Sequence, residues 1–137
     1  MCATLITDIS DPLDVAVDSS GNIYVAQTYN SYQVSKFDST GAALGIFAGT
    51  PEEPYVPDTS HIYGPSGITV DANGSVYVAE RTGNRWLKYS AAGTQLWALG
   101  EAGIRRNDPD HFGDGLLGNP AAVVASNRLY LPNGNLR

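Results

Sequence analysis

The sequence predicts an all-β protein built from four-stranded antiparallel meanders, the blades of a β-propeller. Three observations carry that prediction. A fifteen-residue template repeats without a gap, each copy alternates apolar with small or polar residues, and no stretch carries helical periodicity.

The template runs from Pro12 to Ala26 and again from Pro65 to Ala79; a shortened third copy runs from Pro120 to Pro132. In each copy two period-two stretches flank a turn, the pattern of strands with one buried face. Asp18 to Gly21 and Asp71 to Gly74 supply the turns, Asp accepting from the backbone that follows and Gly taking the left-handed position. The matched aspartates are therefore turn residues and not the ligands of a calcium loop. Two further strands complete each full copy. Tyr32 to Phe37 corresponds to Arg85 to Tyr89, and after turns at Ser39-Thr40-Gly41 and Ala91-Ala92-Gly93 the chain continues into Ala43 to Phe47 and Gln95 to Leu99. Trp86, Trp97, Tyr24, Tyr77 and Tyr89 fall on strands and are expected to pack between blades.

Composition narrows the function classes. The chain has 137 residues, 42% hydrophobic and 16% charged, which is ordinary globular composition. Its formal net charge is −6, and of eight Lys and Arg only Arg105 and Arg106 are adjacent, so nucleic acid and anionic membrane surfaces are excluded as partners. Cys2 is the single cysteine, which rules out an internal disulfide and the usual cysteine-based zinc spacings. No signal peptide or transmembrane segment is evident, and the chain reads as soluble with its compartment open.

The repeat resembles the NHL family. Its signature is Pro, an apolar strand ending in Asp, a Gly turn, an apolar-Tyr-Val-Ala strand, then Gly-Asn and Arg before an apolar strand with a terminal aromatic. Tyr77-Val78-Ala79, Gly83-Asn84-Arg85 and Tyr89 carry it best. Departures are Gln27 in place of the usual Asp, Ser31 within the first Asn-Arg segment, and Leu131-Pro132 in place of Val-Ala. The resemblance implies blades at 11–50 and 64–101, a leading strand of a shared blade at 1–10, and the inner strands of a partial blade at 119–137.

Such an arc leaves open strand edges and apolar blade faces. The expected response is closure to about six blades by self-association, a homodimer first and a trimer second, through edges formed by Thr4, Leu5 and Ile6 at one end and Leu129, Tyr130 and Leu131 at the other. The competing reading is a fragment of a longer propeller protein with no independent role.

Loops joining strands two and three, and loops joining one blade to the next, emerge on one face of a meander blade. Both long loops, Gly49 to Gly64 and Gly103 to Asp114, belong to that face, and binding favours such loops. His61, Tyr63, Arg81, Asn84, Arg105, His111 and Phe112 are the candidate ligand-binding residues there. His61 and His111 echo one another ahead of Pro65 and Pro120. A structural reading, in which each histidine and its apolar neighbour pin a loop, is favoured over metal binding or proton transfer. Arg81, Arg85, Arg105 and Arg106 read as solvated surface charge ahead of an anion site.

Some relatives of the NHL blade are enzymes, among them peptidyl-hydroxyglycine amidating lyases, and six-bladed lactonases resemble them in shape. The resemblance places the lyases' metal-binding histidines in the strand after the opening Pro. Here those positions are Leu13, Ser66, Gly67 and Ala121. No catalytic residue and no cofactor is therefore expected, a divalent metal in the central channel being the alternative. The leading expectation is a non-enzymatic scaffold presenting its loop face to a protein, peptide or small ligand. A hydrolase or lyase of the six-bladed kind is second.

Overall fold

The computed structural model describes residues 4–29, 31–50, 60–100, 123–125 and 128–130. Within them the chain forms two four-stranded antiparallel sheets and a hairpin. The first sheet comprises β1 (Pro12–Val17), β2 (Ile23–Gln27), β3 (Gln33–Phe37) and β4 (Ala43–Gly49) in that order. The second comprises β5 (Pro65–Val70), β6 (Val76–Glu80), β7 (Arg85–Tyr89) and β8 (Gln95–Leu99), and β9 (Val123–Ala125) pairs with β10 (Arg128–Tyr130). Among the described residues no helix is long and apolar enough to cross a membrane.

The repeat in sequence is a repeat in geometry. Both sheets carry a bulge at the same place, between Pro12 and Asp14 and between Pro65 and Gly67. Both hairpin turns close on an aspartate. Asp18 Oδ1 accepts the N–H groups of Ser20 and Asn22, each at 2.9 Å, and Asp71 Oδ1 accepts those of Asn73 and Ser75 at the same distance. The hydroxyls of Tyr24 and Tyr77 then donate to the other carboxylate oxygens at 3.2 and 3.0 Å. Burial works against the Asp18 charge, yet hydrogen bonds from Asn22, Ser20 and Tyr24 outweigh it and hold this carboxyl below its ordinary range. A lowered folded pKa contributes stability above the unfolded carboxylate value, and that contribution is lost as pH falls through the folded one. Asp71→Ala, which strands two backbone donors and a phenol, is expected to cost about 1–3 kcal/mol in urea unfolding. Asp18→Asn is expected to flatten the acid limb of the stability profile.

Alternation decides which residues meet between the sheets. Tyr24, Ala26, Val34 and Ala48 line the face of the first sheet that looks toward the second, its trailing face. Ile68, Val76, Val78, Leu87 and Tyr89 line the opposing leading face of the second, and Ile62 completes the core from the connecting loop. Phe47 stands edge-on to Tyr24 at 5.0 Å and lies 6.0 Å from Tyr89, so the aromatic strand residues are packing residues as expected. Burial and the Glu80 carboxylate push the Tyr89 phenol well above its ordinary pKa. The innermost strands lie side by side, and Asp14 Oδ2 accepts the Ile68 N–H at 2.9 Å across the gap.

One expectation is corrected here. Residues 4–10 form bends and not the strand expected of a shared blade. They nevertheless hold the place of a preceding blade's outer strand. A Cβ on Gly41, in the turn before β4, would come within 2.5 Å of the Leu5 carbonyl oxygen; a Cβ on Gly93, in the matching turn before β8, would come within 2.7 Å of the Phe47 carbonyl oxygen. Leu5 thus rests on the first sheet as Phe47 rests on the second. The match extends to the next turn, where Thr28 N–H donates to Asp11 O as Arg81 N–H donates to Gly64 O, with Asp11 and Gly64 both at positive φ. Among the described residues the segment pairs with no strand, and an unpaired segment has no ladder to hold it straight.

The third copy also differs. Ala125 pairs with Arg128 and Val123 with Tyr130, closing the hairpin in two residues. Tyr130 is therefore one register step from the place that Tyr24 and Tyr77 occupy opposite Ala16 and Thr69. Shortening the turn moves the pairing by one residue, which exchanges the faces of a strand.

Candidate functional site on the loop face

The end of the second sheet that carries the β6–β7 loop is built around a buried ion pair. Glu80 closes β6 and Arg85 opens β7, directly opposite in the ladder, so their side chains start as cross-strand neighbours. The guanidinium holds both carboxylate oxygens, Nε donating to Oε2 and Nη2 to Oε1 at 2.7 Å. Glu80 is fully buried and Arg85 is 7% exposed. The Tyr63 N–H donates to Glu80 Oε1 at 2.9 Å, and Gly83 lies so close to the carboxylate and to Tyr63 Cβ that a side chain there would collide with both. Burial raises the Glu80 pKa, with Arg85 and the Tyr63 N–H acting against that rise. Arg85, read from sequence as solvated surface charge, is instead committed to this pair, because a charge at the end of an inner strand is desolvated and needs a partner.

The first sheet carries the same ladder position in neutral form. Gln27 pairs with Gln33, Gln33 Nε2 donates to Gln27 Oε1 at 3.2 Å, and Ser35 Oγ donates to the same oxygen. Gln27 Nε2 reaches the Ser10 carbonyl at 2.9 Å, so in both repeats this residue ties the preceding segment to the strand end.

That tie assembles the loop face. Gly83 N–H donates to Tyr63 O at 3.1 Å and Arg81 N–H to Gly64 O at 2.9 Å, joining segment 60–64 to the β6–β7 loop. Tyr63, Arg81 and Asn84 are brought to one loop pair, with His61 two residues away. Asn84 sits in the left-handed region at φ 53° and is 1% exposed. His61 is half-buried beside Ser60, whose Oγ lies 3.1 Å from its Nδ1, while Ile62 next to it is fully buried in the core. The apolar neighbour is the residue that pins this loop. Arg105, His111, Phe112 and Leu131 lie outside the described residues. Thr4 and Leu5 are exposed and Ile6 half-buried, and Leu129 and Tyr130 lie on β10.

Sequence reasoning missed a set of polar atoms. Among the described residues Gln33 Oε1, Ser66 Oγ, Asn84 Oδ1, Trp86 Nε1 and Gln95 Oε1 are buried with no protein hydrogen-bond partner; the first four lie at or within two residues of the loop-face ends of their strands, and Gln95 opens β8 at the opposite end. Native structures leave few such atoms, and each calls for an explanation such as a catalytic role or an ordered water or ion. Burial was the signal needed to find them, and one sequence does not contain it.

The first strands do not fit a metal site. The positions at which the family resemblance places histidines hold Leu13, Ser66 and Gly67, and both oxygens of the neighbouring Asp14 accept backbone N–H groups, those of Val15 and Ile68. Among the described residues no three of His, Cys, Asp or Glu come together to hold a metal ion.

No protein-family model matches the chain. It is 32% identical over 104 residues to a probable peptidyl-α-hydroxyglycine α-amidating lyase of Caenorhabditis elegans, covering 74% of this chain and 28% of that protein. Its fold is similar to a gluconolactonase of Xanthomonas campestris (TM-score 0.59, 21% identity, 94% of this chain and 37% of that one). It is similar also to a streptogramin B lyase (0.57, 14%, 94% and 37%) and a luciferin-regenerating enzyme (0.57, 19%, 91% and 38%). The expectation of a non-enzymatic scaffold, and with it the leaning away from an enzyme, is overturned by these names, which are those of lyases, a lactonase and another enzyme. That expectation weighed the missing histidines as though these strands made up a whole ring. The chain spans little more than a quarter of the lyase it matches, so its strands do not represent that protein's ligand set. Two meander sheets packed face to face, innermost strands side by side, make the chain an arc of a β-propeller.

Proposed function

We propose that the chain is part of a propeller enzyme of the lyase or hydrolase kind, with amidating-lyase chemistry first, and that the loop face carries its substrate. The observation that carries this reading is the 32% identity over 104 residues to a peptidyl-α-hydroxyglycine lyase. The NHL-like repeat supports the same assignment, as does the concentration of unpartnered buried polar atoms at the loop-face strand ends.

The substrate class sets what such a face must do. In a peptide ending in α-hydroxyglycine the hydroxyl and the amide nitrogen share one carbon. The hydroxyl loses its proton, its C–O bond becomes a carbonyl, the C–N bond breaks, and the nitrogen takes a proton, giving a peptide amide and glyoxylate. The protein must hold the terminal carboxylate and move one proton at each end. Among the described residues of this face Arg81 is suited to the carboxylate, since a guanidinium binds it through two parallel N–H donors. His61 supplies an imidazole, a group suited to proton transfer.

The test is glyoxylate release from a short peptide ending in α-hydroxyglycine. The expected result is release by the propeller that contains this chain, with Arg81→Ala raising KM about tenfold or more through the lost charged hydrogen bonds and His61→Ala lowering kcat. No release above background, together with no binding of the peptide by calorimetry, overturns the reading.

A further inference from the structure

Tyr29, in the β2–β3 loop of the loop face, is 62% exposed and sits in the left-handed region at φ 67°. A bulky side chain is disfavoured in that region, where glycine and asparagine are ordinary. The β6–β7 loop of the second sheet meets the same demand with Asn84 at φ 53°. The first loop is one residue longer, with five residues between the paired Gln27 and Gln33 against four between Glu80 and Arg85. Its left-handed residue is an aromatic. Exposure at this position belongs to the repeat. Thr28 N–H donates to Asp11 O as Arg81 N–H donates to Gly64 O, which makes Tyr29 the equivalent of Thr82. Thr82 is exposed as well, although the sheet before it and segment 60–64 are both in place. A left-handed backbone that carries a large ring into water costs stability, and strain of this kind collects at ligand sites.

The loop that bears Tyr29 adjoins the loop that bears Arg81. Thr28 and Thr82, their neighbours in sequence, both close on Gly64, with Oγ1 atoms 3.5 and 2.7 Å from where a Cβ on that glycine would stand. We propose that Tyr29 is an aromatic platform for the side chain that precedes the terminal α-hydroxyglycine, so that this face prefers an aromatic residue there. The inference rests on the reading of the loop face as a peptide site with Arg81 at the carboxylate. In an extended peptide the last two residues span about 7 Å, and Tyr and Arg side chains on two loops that meet over one glycine bracket such a dipeptide. The Tyr29 ring offers a face and an edge to an aromatic partner while its hydroxyl stays in water, the division of labour that places tyrosine at recognition surfaces.

Glyoxylate release by the propeller that contains this chain tests it, with two short peptides that differ only in carrying Phe or Ala before the terminal α-hydroxyglycine. The expected kcat/KM favours the Phe peptide about tenfold, the size of one aromatic contact. Tyr29→Asn is expected to bring that ratio down to about twofold or less and to leave turnover of the Ala peptide unchanged, while Tyr29→Phe keeps the preference. Asparagine accepts the left-handed region, so the Tyr29→Asn propeller is expected to melt at the wild-type temperature or up to a few degrees above it, opposite to the loss of a packing residue. Equal turnover of the two peptides by the wild type, or a preference that survives Tyr29→Asn, overturns the platform and leaves the peptide reading standing. A Tyr29→Asn propeller that melts well below the wild type makes Tyr29 a packing residue and overturns the platform too. Release from neither peptide overturns the peptide reading and the platform with it.

Discussion

Replacing Arg85 by Gln is expected to destabilise the chain by about 3–5 kcal/mol, since it leaves the Glu80 carboxylate buried without its countercharge. The first sheet supplies the control. Gln27 and Gln33 occupy the same ladder position as an uncharged pair, so the double change Glu80→Gln with Arg85→Gln is expected to recover most of the loss. Urea unfolding of the two variants beside the wild type measures both effects, and a double variant as unstable as the single one would refute the equivalence. The pH dependence has a definite sign. Because burial raises the folded Glu80 pKa, this group's contribution to stability is present below the unfolded carboxylate value and is lost as pH rises through the folded one. Losing Arg85 raises that pKa further. The deficit of Arg85→Gln is therefore expected to shrink as pH falls and the carboxylate takes up a proton.

Ile62→Ala is expected to cost about 2–5 kcal/mol, the range for deleting a large aliphatic side chain from a packed core. Ile62 is fully buried and belongs to the cluster shared by Tyr24, Val34 and Ala48 of the first sheet and Val78 and Leu87 of the second. Its Cδ1 also lies 3.2 Å from where a Cβ on Gly49 would stand. The loss falls on the contact between sheets and leaves the ladders within each sheet intact. Hydrogen exchange is expected to accelerate first in segment 60–64 and then in strands facing the shared core, while thermal unfolding reports the total. His61→Ala, one residue earlier and only half-buried, is expected to change stability by less than about 0.5 kcal/mol.

Much of the fold was legible because propeller blades write themselves as local patterns. Period-two alternation placed the eight strands of both sheets to within about two residues, and Asp-x-x-Gly marked both hairpin turns through bonds that span only a few residues. The candidate site was legible in part. Loop position predicted that Tyr63, Arg81 and Asn84 share a face, since the meander puts those connections at one end. The role of Arg85 was not legible, because it depends on whether a strand-end charge is desolvated, and that depends on the segment lying above it. The hairpin register of the third copy was not legible, because it is set by the pairing of Ala125 with Arg128, which the repeat template does not contain.

By itself, then, the sequence determined the strand order, the meander, the turns and the residues that each strand offers to each face, all consequences of bonds and alternation over short spans. Only the tertiary structure decided which equivalent residues are covered. Ile68 and Val15 hold the same place in the repeat, yet one is buried and the other open, because burial belongs to the neighbouring sheet and not to the residue. The same holds for Glu80 and Arg85. Their pairing is written in the ladder, but their desolvation, and with it their charge state, comes from packing that segment 60–64 supplies across the strand ends.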